Sequence, residues 1–385
     1  MNYTLNHLEI REAVSKLCNN FDGKYWQGCD KNNSYPQEFV NELTKAGYLS
    51  SLIPEEYGGL GLSLSVGVAI LEEIHKSGCN AAACHAQMYT MGTLLRYGSG
   101  SQKKEYLPKI ANGSLRLQAF GVTEPSSGSD TTSLKCNAIL KDDVYYINGQ
   151  KIWTSRAEYS DLLLLLARTT PKDKTEKRTD GLSVFIVDLN TVPKETITIK
   201  PIRTMMNHAT TEIFFDNMPV PSKNLIGEEG KGFKYILSGM NAERILIAAE
   251  CIGDAKWFIN KATNYSSERK IFERPIGKNQ GIQFPIARAY SQMRAAELML
   301  NEATKLFDNG NNPGEEANLA KLLSADAQWT AAEACIQTYG GFGFAEEYDI
   351  ERKYREARLY QVAPISTNMI LSYIAEHVLK MPRSY

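Results

Sequence analysis

The stretch from Gln118 to Ser155 constrains this 385-residue chain more than any other. An apolar segment leads into Phe120-Gly121-Val122-Thr123-Glu124-Pro125-Ser126-Ser127-Gly128-Ser129-Asp130. Small and turn-forming residues in such a run let a backbone bend and aim several N–H groups at one oxygen-rich ligand. The stretch closes with YINGQKIWTS, residues 146–155, where Asn148-Gly149 reads as the turn of a hairpin. Trp153 and Ser155 are two residues apart, which places both on one side of a regular strand. A ring beside a hydroxyl suits a flat aromatic ligand with a hydrogen-bonding edge.

On either side of this stretch the periodicity changes. Residues 1–115 read as helical, with Leu8, Val14 and Leu17 starting an apolar pattern. Phe39, Leu43 and Leu49 continue it after the break at Ser34-Tyr35-Pro36. Residues 116–225 read as strands, with buried apolar runs at 162–167, 182–187 and 212–215 and an exit at 218–221. Residues 226–385 carry four amphipathic segments near 232–263, 285–307, 315–339 and 365–379, the pattern of an antiparallel bundle. The expected fold class is α+β. Its three domains are a helical one (1–115), a β-barrel or sandwich (116–225) and a four-helix bundle (226–385). His75 and His85 read as packing or surface residues.

Composition removes several classes of function. Lys and Arg number 43 against 44 Asp and Glu, with no basic tract, so nucleic acid is not an expected partner. No apolar run has the length of a membrane span and the N-terminus lacks signal-peptide features, so a cytoplasmic protein is expected. The seven cysteines form no CxxC pair and the five histidines show no ligand spacing, which argues against a metal site and for a reducing compartment.

VTEPSSGSD followed by NGQKIWTS resembles the acyl-CoA dehydrogenase family of flavoproteins. IPEEYGGLGL at 53–62, ERKIF at 268–272 and QTYGGFG at 337–343 resemble the same family, in the family's order and over nearly the whole chain. The resemblance implies that FAD accepts a hydride from the β-carbon of an acyl thioester while a base takes the α-proton. It implies flavin contacts at Phe120, Val122, Thr123, Trp153 and Ser155, with Ser129 contacting flavin and the thioester portion of the substrate. It further implies cofactor roles for Arg269, Phe272, Gln280, Ser366 and Asn368. Gln337, Gly340 and Gly341 match the segment that reaches a neighbouring subunit's FAD, hence a homodimer or homotetramer. Arg269 also has a chemical warrant, since a guanidinium pairs well with diphosphate oxygens.

Many members carry Tyr-Glu-Gly-Thr before the last helix, with that Glu as base. This chain has Val362-Ala363-Pro364-Ile365-Ser366, and Pro364 cannot take a proton. Pro is comfortable in a helix's first turn, so the last helix is expected to start here. A minority of the family places the base earlier, in a Glu-Arg pair, matched here by Glu243-Arg244, with Arg244 a substrate contact. Spacing supports Glu243, because Ile236, Met240, Glu243 and Ile247 form an apolar helical stripe. Its i±3 and i±4 neighbours are Met240, Leu246, Gly239 and Ile247, none of them cationic, so a raised pKa is expected unless another helix supplies a partner. Glu124 is expected to be structural beside Pro125, and Glu376 lies late in the final helix.

The leading expectation is an FAD-dependent acyl thioester dehydrogenase. The ending around 361–378 resembles a subgroup that oxidises short polar acyl groups, such as glyceryl or seryl units, on acyl carrier proteins to make malonyl-type antibiotic extender units. Coenzyme A as carrier in fatty or amino acid catabolism, a flavin monooxygenase on the same fold, and a non-catalytic flavin-binding protein stay open beside it. Either an electron-transferring flavoprotein or oxygen would take the electrons.

Overall fold

The computed structural model describes residues 7–383. The first six helices are α1 (Leu8–Cys18), α2 (Gly23–Lys31), α3 (Gln37–Lys45), α4 (Leu64–Lys76), α5 (Ala86–Tyr97) and α6 (Gly100–Ala111). Strands follow: β1 (Leu117–Gly121), β2 (Asn137–Lys141), β3 (Val144–Ser155), β4 (Leu162–Arg168), β5 (Leu182–Asp188), β6 (Ile197–Pro201), β7 (Thr210–Pro221) and β8 (Leu225–Ile226). The rest is α7 (Gly232–Glu268), a small ribbon of β9 (Lys270–Ile271) and β10 (Arg274–Pro275), then α8 (Gln280–Asp308), α9 (Gly314–Tyr339), α10 (Ile350–Ala357) and α11 (Thr367–Tyr373). This is an N-terminal helical domain, a central β-sheet domain and a C-terminal helical bundle. Contacts gather the chain into two compact units: one of residues 1–34, 63–81 and 241–385, the other of 35–62 and 82–240.

In the second unit the strands join one sheet in the order β6-β7-β3-β2-β4-β5-β8, with β1 alongside β4. This sheet is the expected central β domain, and residues of β3 and β7 share a core with those of β4 and β5. Its centre explains the apolar runs. On β4, Leu162, Leu164 and Leu166 pack into one core while Leu163, Leu165 and Ala167 pack into another, and β5 divides its side chains in the same way. A strand buried on both faces reads as continuous apolar sequence instead of alternation.

The hairpin expected at Asn148-Gly149 is elsewhere. The turn between β2 and β3 is Asp142-Asp143, both with positive φ (46° and 61°), the conformation that a two-residue hairpin turn requires and that Asp tolerates. Asn148 and Gly149 instead lie inside β3, at an irregularity in its pairing with β7. Glycine is required there because φ is 139° and a Cβ would come within 2.7 Å of Cys136 Cα.

In the first unit α8 packs along α9 and against α4. His75 of α4 is not a surface residue. The Ala81 N–H donates to its Nε2 at 3.1 Å, leaving the Nδ1 proton to donate to Asp254 Oδ1 at 3.0 Å. Asp254 also accepts from Gln328 Nε2 at 2.7 Å and pairs with the fully buried Lys353 of α10. Nearby, Tyr360 OH donates to Glu250 Oε2 at 2.6 Å. His85, also buried, lies against the ring of Tyr89. The last helix is shorter than expected: Ser366 caps α11, its Oγ accepting from the Met369 N–H at 3.4 Å, and a π-helical turn over Ile374–Val378 follows. Pro364 stands outside the helix, ahead of the cap. No helix among the described residues is long and apolar enough to cross a membrane.

Burial alone would raise the Asp254 pKa, but Lys353 and His75 outweigh it and hold the carboxyl at about 2. A carboxyl depressed in the folded state stabilises above its unfolded pKa, about 3.9, and loses that contribution as pH falls through its folded value. Asp254→Asn is expected to cost about 3–5 kcal/mol at pH 7, the scale for breaking a buried pair. The gap to wild type should narrow as pH drops from about 4 to about 2, measured by urea unfolding across that range.

Candidate functional site

The turn after β1 is built around Glu124. Its backbone exchanges hydrogen bonds with Ser127, Glu124 N–H to Ser127 O at 3.1 Å and Ser127 N–H to Glu124 O at 3.0 Å. The buried carboxylate accepts from the Lys135 and Cys136 N–H groups at 2.6 and 2.9 Å and from Lys151 Nζ at 2.8 Å. Glu124 is structural, as its place beside Pro125 suggests. Lys151, fully buried, also donates to Val122 O at 3.0 Å, and the Ile152 N–H donates to Thr123 O at 2.9 Å. One ion pair therefore fixes residues 122–124 against β3. Asp130 closes the turn, accepting from Ser133 and Thr132 hydroxyls, which hold its carboxyl below the usual range. Ser129 is exposed on this turn. Phe120 and Val122 are partly buried against the core that contains Leu94 and Leu164.

Trp153 follows on β3 with 56% of its surface exposed and φ at 61°. Lys151 pairs with Ile213 and Thr154 with Thr211, so β3 uses three steps where β7 uses two. The extra residue is a β-bulge, which breaks the period of two. Trp153 and Ser155 are therefore not simply consecutive outward positions of a regular strand. Ser155 pairs with Thr210 beyond the bulge and is half-buried. A left-handed aromatic residue is costly, by about 1–3 kcal/mol, and persists only where its surroundings enforce it. Here the two ladders flanking Trp153 do so.

A second feature lies in the first unit. Arg269, Phe272, Gln337, Gly340 and Gly341 line one hollow of about 710 Å³, with Tyr265, Tyr339 and Phe342 in its walls. Phe272 and Glu273 form the β9–β10 turn with φ of 52° and 63°, which leaves the Phe272 ring 93% exposed. Arg269 makes no ion pair with Glu268 or Glu273; its guanidinium lies over the Phe342 ring at 5.4 Å. Gly340 has a positive φ, whereas Gly341 has none, and a Cβ on Gly341 would meet nothing within 4 Å. The chain's own packing gives no reason for a bare backbone at Gly341. Gln280, the first residue of α8, is exposed beside Asn279 and Ile282, which line the hollow. Ser366 and Asn368 lie apart from it, at the start of α11.

Glu243 is buried on α7, 6% exposed. The adjacent Arg244 donates to Asn241 Oδ1 at 3.0 Å, and its buried Nε has no partner among the described residues. Burial lowers the Arg244 pKa and Glu243 opposes that shift. The Glu243 stripe continues through Glu250 and Asp254, whose partners are the structural ones described above. Sequence reasoning missed that cluster, although its signal was present: carboxylates on an apolar helical face imply buried partners, which need not be substrates.

Three family models match the chain: the N-terminal domain of acyl-CoA dehydrogenase over residues 4–114, the middle domain over 119–218 and the C-terminal domain over 230–379. An acyl-CoA dehydrogenase of Bacillus subtilis (strain 168) is 35% identical over 365 residues, 94% of this chain and 95% of its own length. Among solved structures, a glutaryl-coenzyme A dehydrogenase in complex with glutaryl-CoA superposes with a TM-score of 0.89 at 30% identity, covering 98% of this chain and 95% of that one. A structure described for the electron-transferring flavoprotein of Acidaminococcus fermentans gives 0.92 at 28% identity, covering 99% and 100%. The chain belongs to the acyl-CoA dehydrogenase family. It is an FAD-dependent oxidoreductase of that superfamily.

The Glu124–Lys151 pair generates a stability prediction. Lys151→Met strands a buried carboxylate and is expected to cost about 3–5 kcal/mol. Adding Glu124→Gln to that variant should recover part of the loss, because the uncompensated charge is gone. Chemical denaturation of both variants measures the coupling.

Proposed function

We propose that the protein dehydrogenates an acyl thioester with Glu243 as the base, and that coenzyme A is the carrier. The observation that carries this is a buried carboxylate at Glu243 in a chain with Pro364 where many members have glutamate. Two of the relatives described above support the carrier, since the Bacillus subtilis acyl-CoA dehydrogenase and the glutaryl-coenzyme A dehydrogenase are both named for coenzyme A thioesters. Tethered glyceryl or seryl units therefore rank second, resting only on the resemblance of residues 361–378.

The bare Trp153 ring, Thr123 and Ser155 fit a flavin ring, and the unpaired Arg269 with the open Gly341 backbone fits a diphosphate. FAD, when bound, supplies the two-electron acceptor. Glu243 takes the α-proton at its carboxylate, and Ser129 and Arg244 orient the thioester. Because Arg269 and Phe272 share one hollow with Gln337, Gly340 and Gly341, a single ligand there meets both motifs. We therefore assign both, and not the second alone, to the FAD of a neighbouring subunit, with an electron-transferring flavoprotein as acceptor.

Two substitutions test this reading. Glu243→Gln keeps the shape and removes the basicity; it should retain FAD yet slow substrate-dependent flavin bleaching by about a hundredfold or more, with Glu243→Asp intermediate. Flavin reduction at the wild-type rate in Glu243→Gln would remove Glu243 as the base. Arg269→Ala should weaken FAD retention by about ten- to a hundredfold, the scale for charge-assisted hydrogen bonds. Flavin content after gel filtration reads that loss.

A further inference from the structure

Two of the cysteines meet inside the first unit. Cys18 is the last residue of α1, and Cys79 follows the end of α4, 61 positions later. Both are buried. The Cys79 Sγ lies 3.8 Å from Cys18 O and 3.6 Å from Phe21 O, so it sits against the end of α1. The two thiols also share a hydrogen bond with each other. The packing of α1 on α4 holds the segments that carry them together.

A buried thiol is by itself an ordinary small core residue. The turn that carries Cys79 is not an ordinary core, because two buried cations close on it. Arg352 Nη2 donates to Gly78 O at 3.1 Å, and Lys353 Nζ donates to Cys79 O at 3.2 Å. The hydrogen bond with Cys18 lowers the Cys79 pKa, and the Lys353 and Arg352 charges add to that effect against burial. Cys18 moves the other way, raised by the same hydrogen bond and by burial. The pair therefore divides its roles: Cys79 gains thiolate character while Cys18 keeps its proton. An attacking and a resolving thiol differ in this manner. Burial raises the thiols of Cys136, Cys251 and Cys335, which keeps them protonated and inert.

We propose that Cys18 and Cys79 form a redox-modification site, which a hydroperoxide oxidises to a disulfide tying the end of α1 to the turn after α4. Hydrogen peroxide fits as the oxidant, being the product wherever a reduced flavin meets oxygen. It is little larger than water, and a local opening at the end of α1 admits it. The Cys79 thiolate attacks one peroxide oxygen and the O–O bond breaks. The departing hydroxide takes up the proton that Cys79 gave up and leaves as water, with Cys79 now a sulfenic acid. The Cys18 sulfur then attacks the Cys79 sulfur, the S–O bond breaks, and the oxygen leaves with the Cys18 proton as a second water. Two thiols have lost two electrons, and one peroxide has become two waters. The new bond fastens the turn whose Ala81 N–H donates to His75.

The test treats the FAD-loaded protein with hydrogen peroxide, removes the excess with catalase, alkylates the remaining thiols in denaturant and maps the peptides by mass. The expected product is a pair of peptides joined through Cys18 and Cys79, lighter by two hydrogens and separated again by dithiothreitol. Cys18→Ala removes the resolving thiol, so dimedone added with the peroxide should label Cys79 in that variant. Cys79→Ala should leave Cys18 unlabelled. Full alkylation of both Cys18 and Cys79 in the treated wild type overturns the proposal. So does oxidation confined to the half-buried Cys29. The wild-type peptide map decides the matter even where a variant fails to fold.

Discussion

The buried pair between Glu124 and Lys151 is the interaction on which the turn after β1 and its seat against β3 depend. Four bonds converge on it: two backbone N–H groups and an ammonium on the carboxylate, and the same ammonium on the Val122 carbonyl. A charge pair taken out of water gains stability only where its remaining bonding capacity is filled. Here that capacity is filled by the turn itself, so the pair and the turn cannot form separately. The cost of desolvation is converted into rigidity at Val122 and Thr123, while the tip at Ser129 stays exposed.

Much of the fold was legible because long apolar periodicities override local detail. The first three of the four helical segments and the doubly buried strands β4 and β5 stand where their patterns put them, within a few residues. What misled was local chemistry with more than one structural use. Asn148-Gly149 is a turn dipeptide in isolation, but the same permissive backbone serves a bulge, and Asp142-Asp143 took the turn because the strand register demanded it there. Pro364 tolerates a helix start, yet the Ser366 hydroxyl caps a better one two residues on.

The candidate site was legible in its motifs and less so in its geometry. Arg269 and Gln337 are 68 positions apart, and only the ribbon between α7 and α8 reveals that they line a common hollow. The helical stripe that singles out Glu243 runs on through Glu250 and Asp254, so spacing alone does not separate a base from a scaffold. His75, Gln328, Lys353 and Tyr360 come from distant segments and satisfy Glu250 and Asp254, which spacing along one helix does not announce.

The bulge at Trp153 has a consequence for how this segment can vary. Lys151, Trp153 and Ser155 share parity, so a regular strand would turn all three the same way, and the buried ammonium would be thrown out with the ring. One surplus residue resets the phase between them. The strand is thus two tracks joined by a splice, an interior one up to Lys151 and, after it, one that exposes Trp153. Side chains on either track can drift by substitution, but the residue count between Lys151 and Thr154 is fixed: losing or gaining a single codon there would exchange inside for outside along everything downstream.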